Sequence, residues 1–373
     1  MNIVFCVDGV YPHTIGGMQK HSKLLIETLA MEFGHNIIVI HPHSECQVFE
    51  DHLNITEIVI NDINKKNNYL VECFRYSRRM YDQLVNLPNN FVIYSQGLSV
   101  WYRANYFSNR LIVNPHGLEP FQALSFKDKL IAIPFKIIFR RIFDRSLIVV
   151  SLGGRLTCIL RKETSEKKIV EISNGVLLPR SRHNEKNIQN TDVIKVLFVA
   201  RFSANKGIHI LMQAIKELNC EGFIKKLNFV LAGSGPLFDK YKKQNTESNV
   251  EIRGFVTDDE LVQLYGESDI YVLPTLFEGM PTAVLEAMAY RLPIIVSDTG
   301  ATAALVDEKN GYLIKKNNVE ELKNAFLAFI RLSTSDKNRM ADESVCKVKE
   351  QFTWNLVAKK HKNLFIKVEK MIN

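Results

Sequence analysis

The chain has 373 residues, 46% of them hydrophobic and 24% charged, with a formal net charge of +8 at pH 7. Those proportions belong to a folded globular protein and exclude a collagen-like or disordered chain, and the length suits two domains of about 150 to 200 residues better than a single core. The basic balance asks for an anionic partner, but no zinc-finger spacing, aromatic-glycine ribonucleoprotein motif or basic-region zipper is present, so nucleic acid is the poorer candidate.

From the N-terminus, the run Asn2 to Val7 reads as a buried strand with no basic leader before it. No apolar stretch approaches the ~20 residues needed to cross a bilayer, so a cytoplasmic protein is expected. Further strand-like runs lie near 37–40, 58–60, 91–95, 111–114, 147–151 and 169–172, then near 196–200, 227–232, 250–253, 270–273 and 294–296. Helix-like segments alternate with them, which argues for two doubly wound α/β domains. The polar stretch Pro179 to Asp192 reads as the linker between residues 1–180 and 190–353. A terminal helix starts near Trp354 and runs to the end of the chain; periodicity gives the helix and not its docking place. The six cysteines, at 6, 46, 73, 158, 220 and 346, form no C-x-x-C pair, which suits a reducing compartment and offers no structural zinc site.

Several short motifs fall at the carboxyl ends of these strands, where open α/β sheets bind ligands. Gly16-Gly17 precedes a helix whose apolar face includes Leu24, Leu25 and Leu29. It reads either as a flexible turn or as a place where backbone approaches a phosphate. His116 follows a strand in Asn114-Pro115-His116-Gly117, open to a structural or a ligand-facing reading. Arg201 and Lys206 fall in the loop after Val196 to Ala200; a planar fork of donors and a point charge together suit a diphosphate. In Phe277-Glu278-Gly279-Met280-Pro281-Thr282 to Ala289, two carboxylates, Glu278 and Glu286, stand eight positions apart. Pro281 and Thr282 suit a helix start, so Glu278 sits in the loop and Glu286 about two turns inside the helix. The amides near Met280 and Thr282 then form a positive helix end that attracts phosphate. Glu286 stands among Val284, Leu285, Ala287, Met288 and Ala289, and a carboxylate in such company usually has a partner.

The segment Phe126 to Phe143 mixes bulky apolar residues (Phe126, Leu130, Ile131, Phe135, Ile138, Phe139, Ile142) with Lys127, Lys129, Lys136, Arg140 and Arg141. It is either a core helix with a solvated face or a helix lying on an anionic membrane surface; the breadth of its apolar set favours the membrane.

The two glutamates resemble the E-x7-E motif of retaining glycosyltransferases. With Arg201, Lys206, Gly16-Gly17, His116-Gly117 and Asn174-Gly175-Val176 in order, the chain resembles glycosyltransferase family 4 over nearly its whole length. The resemblance implies the GT-B fold: two Rossmann-like domains facing a cleft, the terminal helix 354–373 crossing back to the N-terminal domain. It implies transfer of a sugar from a nucleoside diphosphate sugar, UDP before GDP, to a hydroxyl of a saccharide, with retention and with neither metal nor other cofactor. The implied catalytic residues are His116, Glu278, Arg201 and Lys206, with donor contacts at Gly16, Gly17, Arg201, Lys206, Val256, Glu278, Met280, Pro281, Thr282 and Glu286. Glu278 is implied to orient sugar hydroxyls and Glu286 to hold the ribose. A lipid-linked acceptor in bacterial surface polysaccharide assembly fits the basic helix, with the enzyme peripheral on the inner face of the cell membrane. The chain departs from the family at Gly300-Ala301 and Ala303-Ala304, where many relatives carry Gly-Gly and Pro-Glu; this puts donor-site detail in doubt and leaves the reaction class alone. Two rival readings stand beside it. A non-catalytic sugar- or lipid-binding module shares the residues, and a nicotinamide-dependent oxidoreductase shares the architecture. The oxidoreductase would need a G-x-G-x-x-G turn, of which Gly233-Ser234-Gly235-Pro236 is only the first half.

Overall fold

The alternating pattern resolves into two parallel sheets in the computed structural model, which describes every residue except 15, 44–46, 65–67, 124, 180–192 and 373. All but Pro179 of the expected linker therefore lies outside the described residues. One unit comprises Met1–Gly175 with Trp354–Asn373, the other Val176–Thr353.

The first unit carries β1 (Asn2–Cys6), β2 (Asn36–His41), β3 (Ile55–Val59), β4 (Val92–Gln96), β5 (Leu111–Asn114), β6 (Ile148–Ser151) and β7 (Ile169–Glu171). They form one sheet in the order β3-β2-β1-β4-β5-β6-β7, every pair parallel. Helices α1 (Gly17–Phe33), α2 (Tyr69–Leu84), α3 (Phe126–Arg145) and α4 (Arg155–Glu163) connect them. Near-continuous apolar strands such as Ile3-Val4-Phe5-Cys6, all buried, are what a parallel sheet covered on both faces requires.

The second unit holds β8 (Ile194–Val199), β9 (Leu227–Ala232), β10 (Val250–Ile252), β11 (Ile270–Leu273), β12 (Ile294–Ser297) and β13 (Gly311–Ile314) in the order β10-β9-β8-β11-β12-β13, again all parallel. Its helices are α5 (Ile208–Cys220), α6 (Phe238–Gln244), α7 (Asp258–Glu267), α8 (Thr282–Ala289), α9 (Thr302–Leu305), α10 (Val319–Arg331) and α11 (Thr334–Gln351). Strand β13 has no counterpart in the sequence reading: it is four residues long, opens on a glycine and exposes Leu313, so no apolar run marks it.

The terminal helix α12 (Trp354–Ile372) returns to the first unit and packs along α1 and β4. Trp354, Val357, Ala358, Leu364, Phe365 and Val368 recur at helical spacing and are buried in one core with Ile3, Phe5, Leu25 and Tyr94. At about 1.5–3 kcal/mol for each large apolar side chain, that face anchors the chain end firmly.

Helix α3 corrects one expectation. Ile138, Phe139 and Ile142, counted toward a membrane-facing surface, are buried in the fold with Phe143. Arg140 is engaged by the Glu163 carboxylate of α4, 2.5 Å away. The apolar side chains left outside are Phe126, at 78% exposure, with Leu130, Ile131 and Ile133 in the first half of the helix and Ile137 just beyond it.

Candidate active site

The order of the second sheet reverses between β8 and β11, and at such a switch point the loops leaving the two carboxyl ends diverge to open a crevice. After β8 the chain passes Arg201, which is exposed, and Lys206, which is half-buried. After β11 it passes through Thr275 to Pro281 into α8. The two loops are tied together. The Thr275 hydroxyl and the Leu276 N–H both donate to the Asn205 carbonyl, at 2.9 and 2.8 Å. Gly207 is left-handed (φ 72°), and a Cβ there would lie 1.8 Å from the Pro274 carbonyl oxygen, so only glycine closes this crossing.

That tie brings Lys206 Nζ to 2.5 Å from Glu278 Oε1. The glutamate side chain is 8% exposed and the lysine 25%. A third loop, after β12, supports them from behind. Gly300 is left-handed (φ 53°), and a Cβ on it would stand 2.2 Å from the Glu278 carbonyl oxygen; the next amide, Ala301 N–H, donates to Gly279 O at 2.8 Å. The segment where the chain departs from the family pattern thus fixes the backbone of Glu278, a role the sequence reading did not give it.

Pro281 caps α8, and the first amides of the helix, at Thr282 and Ala283, have no carbonyl within the helix to bond. Glu286 is the fifth residue of α8, one turn in and not two. Its Oε2 accepts from the Tyr265 hydroxyl at 3.2 Å. Burial, and secondarily the Glu286 carboxylate, push the Tyr265 hydroxyl well above its ordinary pKa, so it stays a donor. Met280 is buried and Val256 half-buried; Val256 lies between β10 and α7, in a loop whose Gly254 carbonyl accepts from Gly233 N–H at 2.9 Å. Gly233-Ser234-Gly235 itself packs beneath Arg201: Phe202 N–H donates to Ser234 O at 2.9 Å, and a Cβ on Gly235 would meet Arg201 Cγ at 3.0 Å. Half a dinucleotide fingerprint here serves as a spacer.

The remaining expected residues belong to the first unit. Gly16, in extended backbone, precedes the first residue of α1, Gly17, and its carbonyl accepts from Lys20 N–H. His116 lies just past β5 in left-handed backbone (φ 59°), with its N–H donating to Asn114 Oδ1 at 3.0 Å. Burial, reinforced by the nearby His361, lowers its pKa from 6.5 to about 3, so the imidazole is neutral at physiological pH. Its Nε2 is buried and has no hydrogen-bond partner in the fold. Among the described residues no three His, Cys, Asp or Glu side chains cluster in a way that could hold a metal ion, and no helix is long and apolar enough to cross a membrane.

Sequence reasoning missed Tyr265, Asn205 and Gly300, which hold Glu286, the two loops and Glu278 respectively.

Residues 179–344, which contain Arg201, Lys206, Glu278 and Glu286, match the family described as Glycosyl transferases group 1. The chain is 25% identical over 353 residues to an uncharacterized glycosyltransferase of Methanocaldococcus jannaschii, covering 92% of each. It is 29% identical over 270 residues, 67% of this chain and 68% of the other, to an Escherichia coli UDP-Gal:alpha-D-GlcNAc-diphosphoundecaprenol alpha-1,3-galactosyltransferase. Its fold is shared with sucrose-phosphate synthase from Thermosynechococcus elongatus, with a TM-score of 0.80 over 98% of both chains at 18% identity.

Proposed function

Because residues 179–344 match the family described as glycosyl transferases group 1, we infer that the chain moves a sugar from a nucleoside diphosphate, UDP before GDP, to a saccharide hydroxyl with retention of configuration. The observation that carries the reading is the Lys206–Glu278 pair at the sheet's switch point, with Arg201 on the same loop as Lys206 and the first amides of α8 four residues after Glu278. Arg201, Lys206 and those amides meet the charge that grows on the departing diphosphate; because they supply positive charge in fixed positions, the transfer needs no metal ion. Glu278 orients the sugar hydroxyls. Glu286, held by Tyr265, accepts from the ribose hydroxyls, and Met280, Pro281, Thr282 and Val256 line the donor. His116, kept neutral, stabilises the oxocarbenium-like sugar through its dipole and backbone and transfers no proton. Gly16 and Gly17 leave bare backbone at the start of α1, which suits close approach of a phosphate.

For the acceptor we propose a lipid-linked saccharide of surface polysaccharide assembly, because the E. coli relative is named for a sugar on diphosphoundecaprenol. The exposed apolar front of α3, with Lys127 and Lys129 beside it, supports peripheral attachment to an anionic leaflet on the cytoplasmic side. Thermal-shift measurement against a panel of nucleotide sugars tests the donor: a rise in Tm with UDP and UDP-sugars and none with NAD supports the reading, and stabilisation by NAD alone overturns it.

A further inference from the structure

A buried polar chain runs through the first unit to the loop that carries His116. Tyr94 on β4, Asn114 at the end of β5 and His361 on α12 are all fully buried, and burial of this kind is tolerated only when each polar atom has a partner. Their hydrogen bonds have only one consistent direction. His361 Nδ1 lies 2.9 Å from the Val357 carbonyl oxygen, which can only accept, so Nδ1 carries the proton. Nε2 of the neutral ring is then an acceptor, and the Tyr94 hydroxyl donates to it at 3.0 Å. The Tyr94 oxygen in turn accepts from Asn114 Nδ2 at 2.9 Å. That fixes the Asn114 amide with Oδ1 toward the loop, where it accepts from the His116 N–H at 3.0 Å.

We propose that Tyr94, Asn114 and His361 are positioning residues that hold His116 in its left-handed conformation against the reacting sugar, with the returning helix α12 as the fixed end of the chain. The proposal rests on the reading of His116 given above. Left-handed backbone at a histidine, followed by a second left-handed residue at Leu118 (φ 55°), persists only where the surroundings impose it. Asn114 imposes it by an Asx-type bond to the residue two positions on, and Asn114 can point that way only while Tyr94 occupies its Nδ2. Tyr94 is committed in the same manner by His361. A misplacement of about 1 Å at a reacting centre costs on the order of a hundredfold in rate. The last residues of the chain therefore bear on catalysis without touching substrate. The groups facing His361 are His21 of α1, whose ring centroid is 6.0 Å away, Tyr94 of β4, and Lys360 of its own helix; His116 feels its charge from the loop. The direction of the chain is fixed by the Val357 carbonyl, which can only accept and so keeps the proton on His361 Nδ1.

The test uses the full-length protein and the UDP-sugar that raises its Tm most. Tyr94→Phe and His361→Leu should each lower kcat by about tenfold or more per folded molecule, with the Kd for free UDP unchanged, since neither residue is among the proposed UDP contacts. His361→Gln, whose side-chain oxygen can accept from Tyr94, should recover most of the loss; a purely structural role gives no such split and no such rescue. Nitrogen-15 spectra of the wild type should report the Nδ1–H tautomer at His361, and Tyr94→Phe should displace the His116 amide resonance. Wild-type kcat in Tyr94→Phe overturns the positioning role, and an Nε2–H tautomer at His361 overturns the chain itself. If the wild type, given a GlcNAc-diphospholipid acceptor, releases no nucleoside diphosphate from any UDP- or GDP-sugar, the transferase reading fails, while the tautomer and the amide shift still decide the chain.

Discussion

Lys206→Met and Glu278→Gln should destabilise the protein unequally, and the inequality follows from their exposures. Breaking one partner of a fully buried pair costs about 3–5 kcal/mol, because the charge left behind is stranded. Here Lys206 is a quarter exposed, so the pair lies short of that limit. Lys206→Met removes the cation beside the Glu278 carboxylate, which is 8% exposed, and we expect a loss of about 2 kcal/mol. Glu278→Gln leaves an ammonium that can still bond the new amide oxygen and reach water, so the expected loss is about 1 kcal/mol. For a unit of this size each kcal/mol moves Tm by about 2–4 °C, giving losses of about 4–8 °C and 2–4 °C. Calorimetry or circular dichroism reads the shifts, and the double variant closes the cycle. Glu278→Gln destabilising as much as Lys206→Met, or a coupling near zero, would refute the buried-pair argument. Turnover should fall in both variants whatever their stability.

Arg201→Ala should lower kcat as well as donor affinity in steady-state kinetics, because the charge it meets grows in the transition state; near wild-type turnover would remove it from the site. Glu286→Gln should weaken calorimetric binding of UDP by about tenfold and Glu278→Gln leave it nearly intact, so equal losses would void that division of labour. Unfolding free energy should decline on acidification. The folded pKa of His361, about 4, and of His116, about 3, lie below the unfolded 6.5, so the unfolded chain binds protons first and stability drops as pH falls from 6.5 toward 4. The drop should reach about 2–3 kcal/mol per histidine, and denaturant midpoints independent of pH across that window would contradict it. Vesicle sedimentation should show salt-sensitive binding to anionic bilayers that is lost when Phe126, Leu130 and Ile131 become serine, while binding that survives those changes would clear α3 of the role.

The α/β alternation was legible because parallel strands covered on both faces must be apolar runs, and Ile3 to Cys6 or Val196 to Phe198 can hardly be anything else. The residues of the second unit's site were legible as types at loop positions. Their partnerships were not. That Lys206 and Glu278 would meet depends on a carbonyl at Asn205 accepting two bonds and on the clearance at Gly207 and Gly300, none of which leaves a periodic trace. Helix α3 failed in the opposite way: composition marked all its apolar residues alike, while packing under the sheet claims Ile138, Phe139 and Ile142 and leaves Phe126, Leu130 and Ile131 outside. The polar chain from His361 to His116 joins residues far apart in sequence, and no local pattern announces it.

The most direct test of the account is to incubate the protein, in excess EDTA, with a UDP-sugar and a synthetic GlcNAc-diphospholipid acceptor, and to follow UDP release together with the product's anomeric signal by NMR. The account predicts UDP released in proportion to a new glycosidic linkage whose anomeric configuration matches that of the donor. Donor bound and returned unchanged across a panel of UDP- and GDP-sugars would make the protein a binding module, and a product of inverted configuration would contradict the mechanism built on Glu278, Lys206 and Arg201.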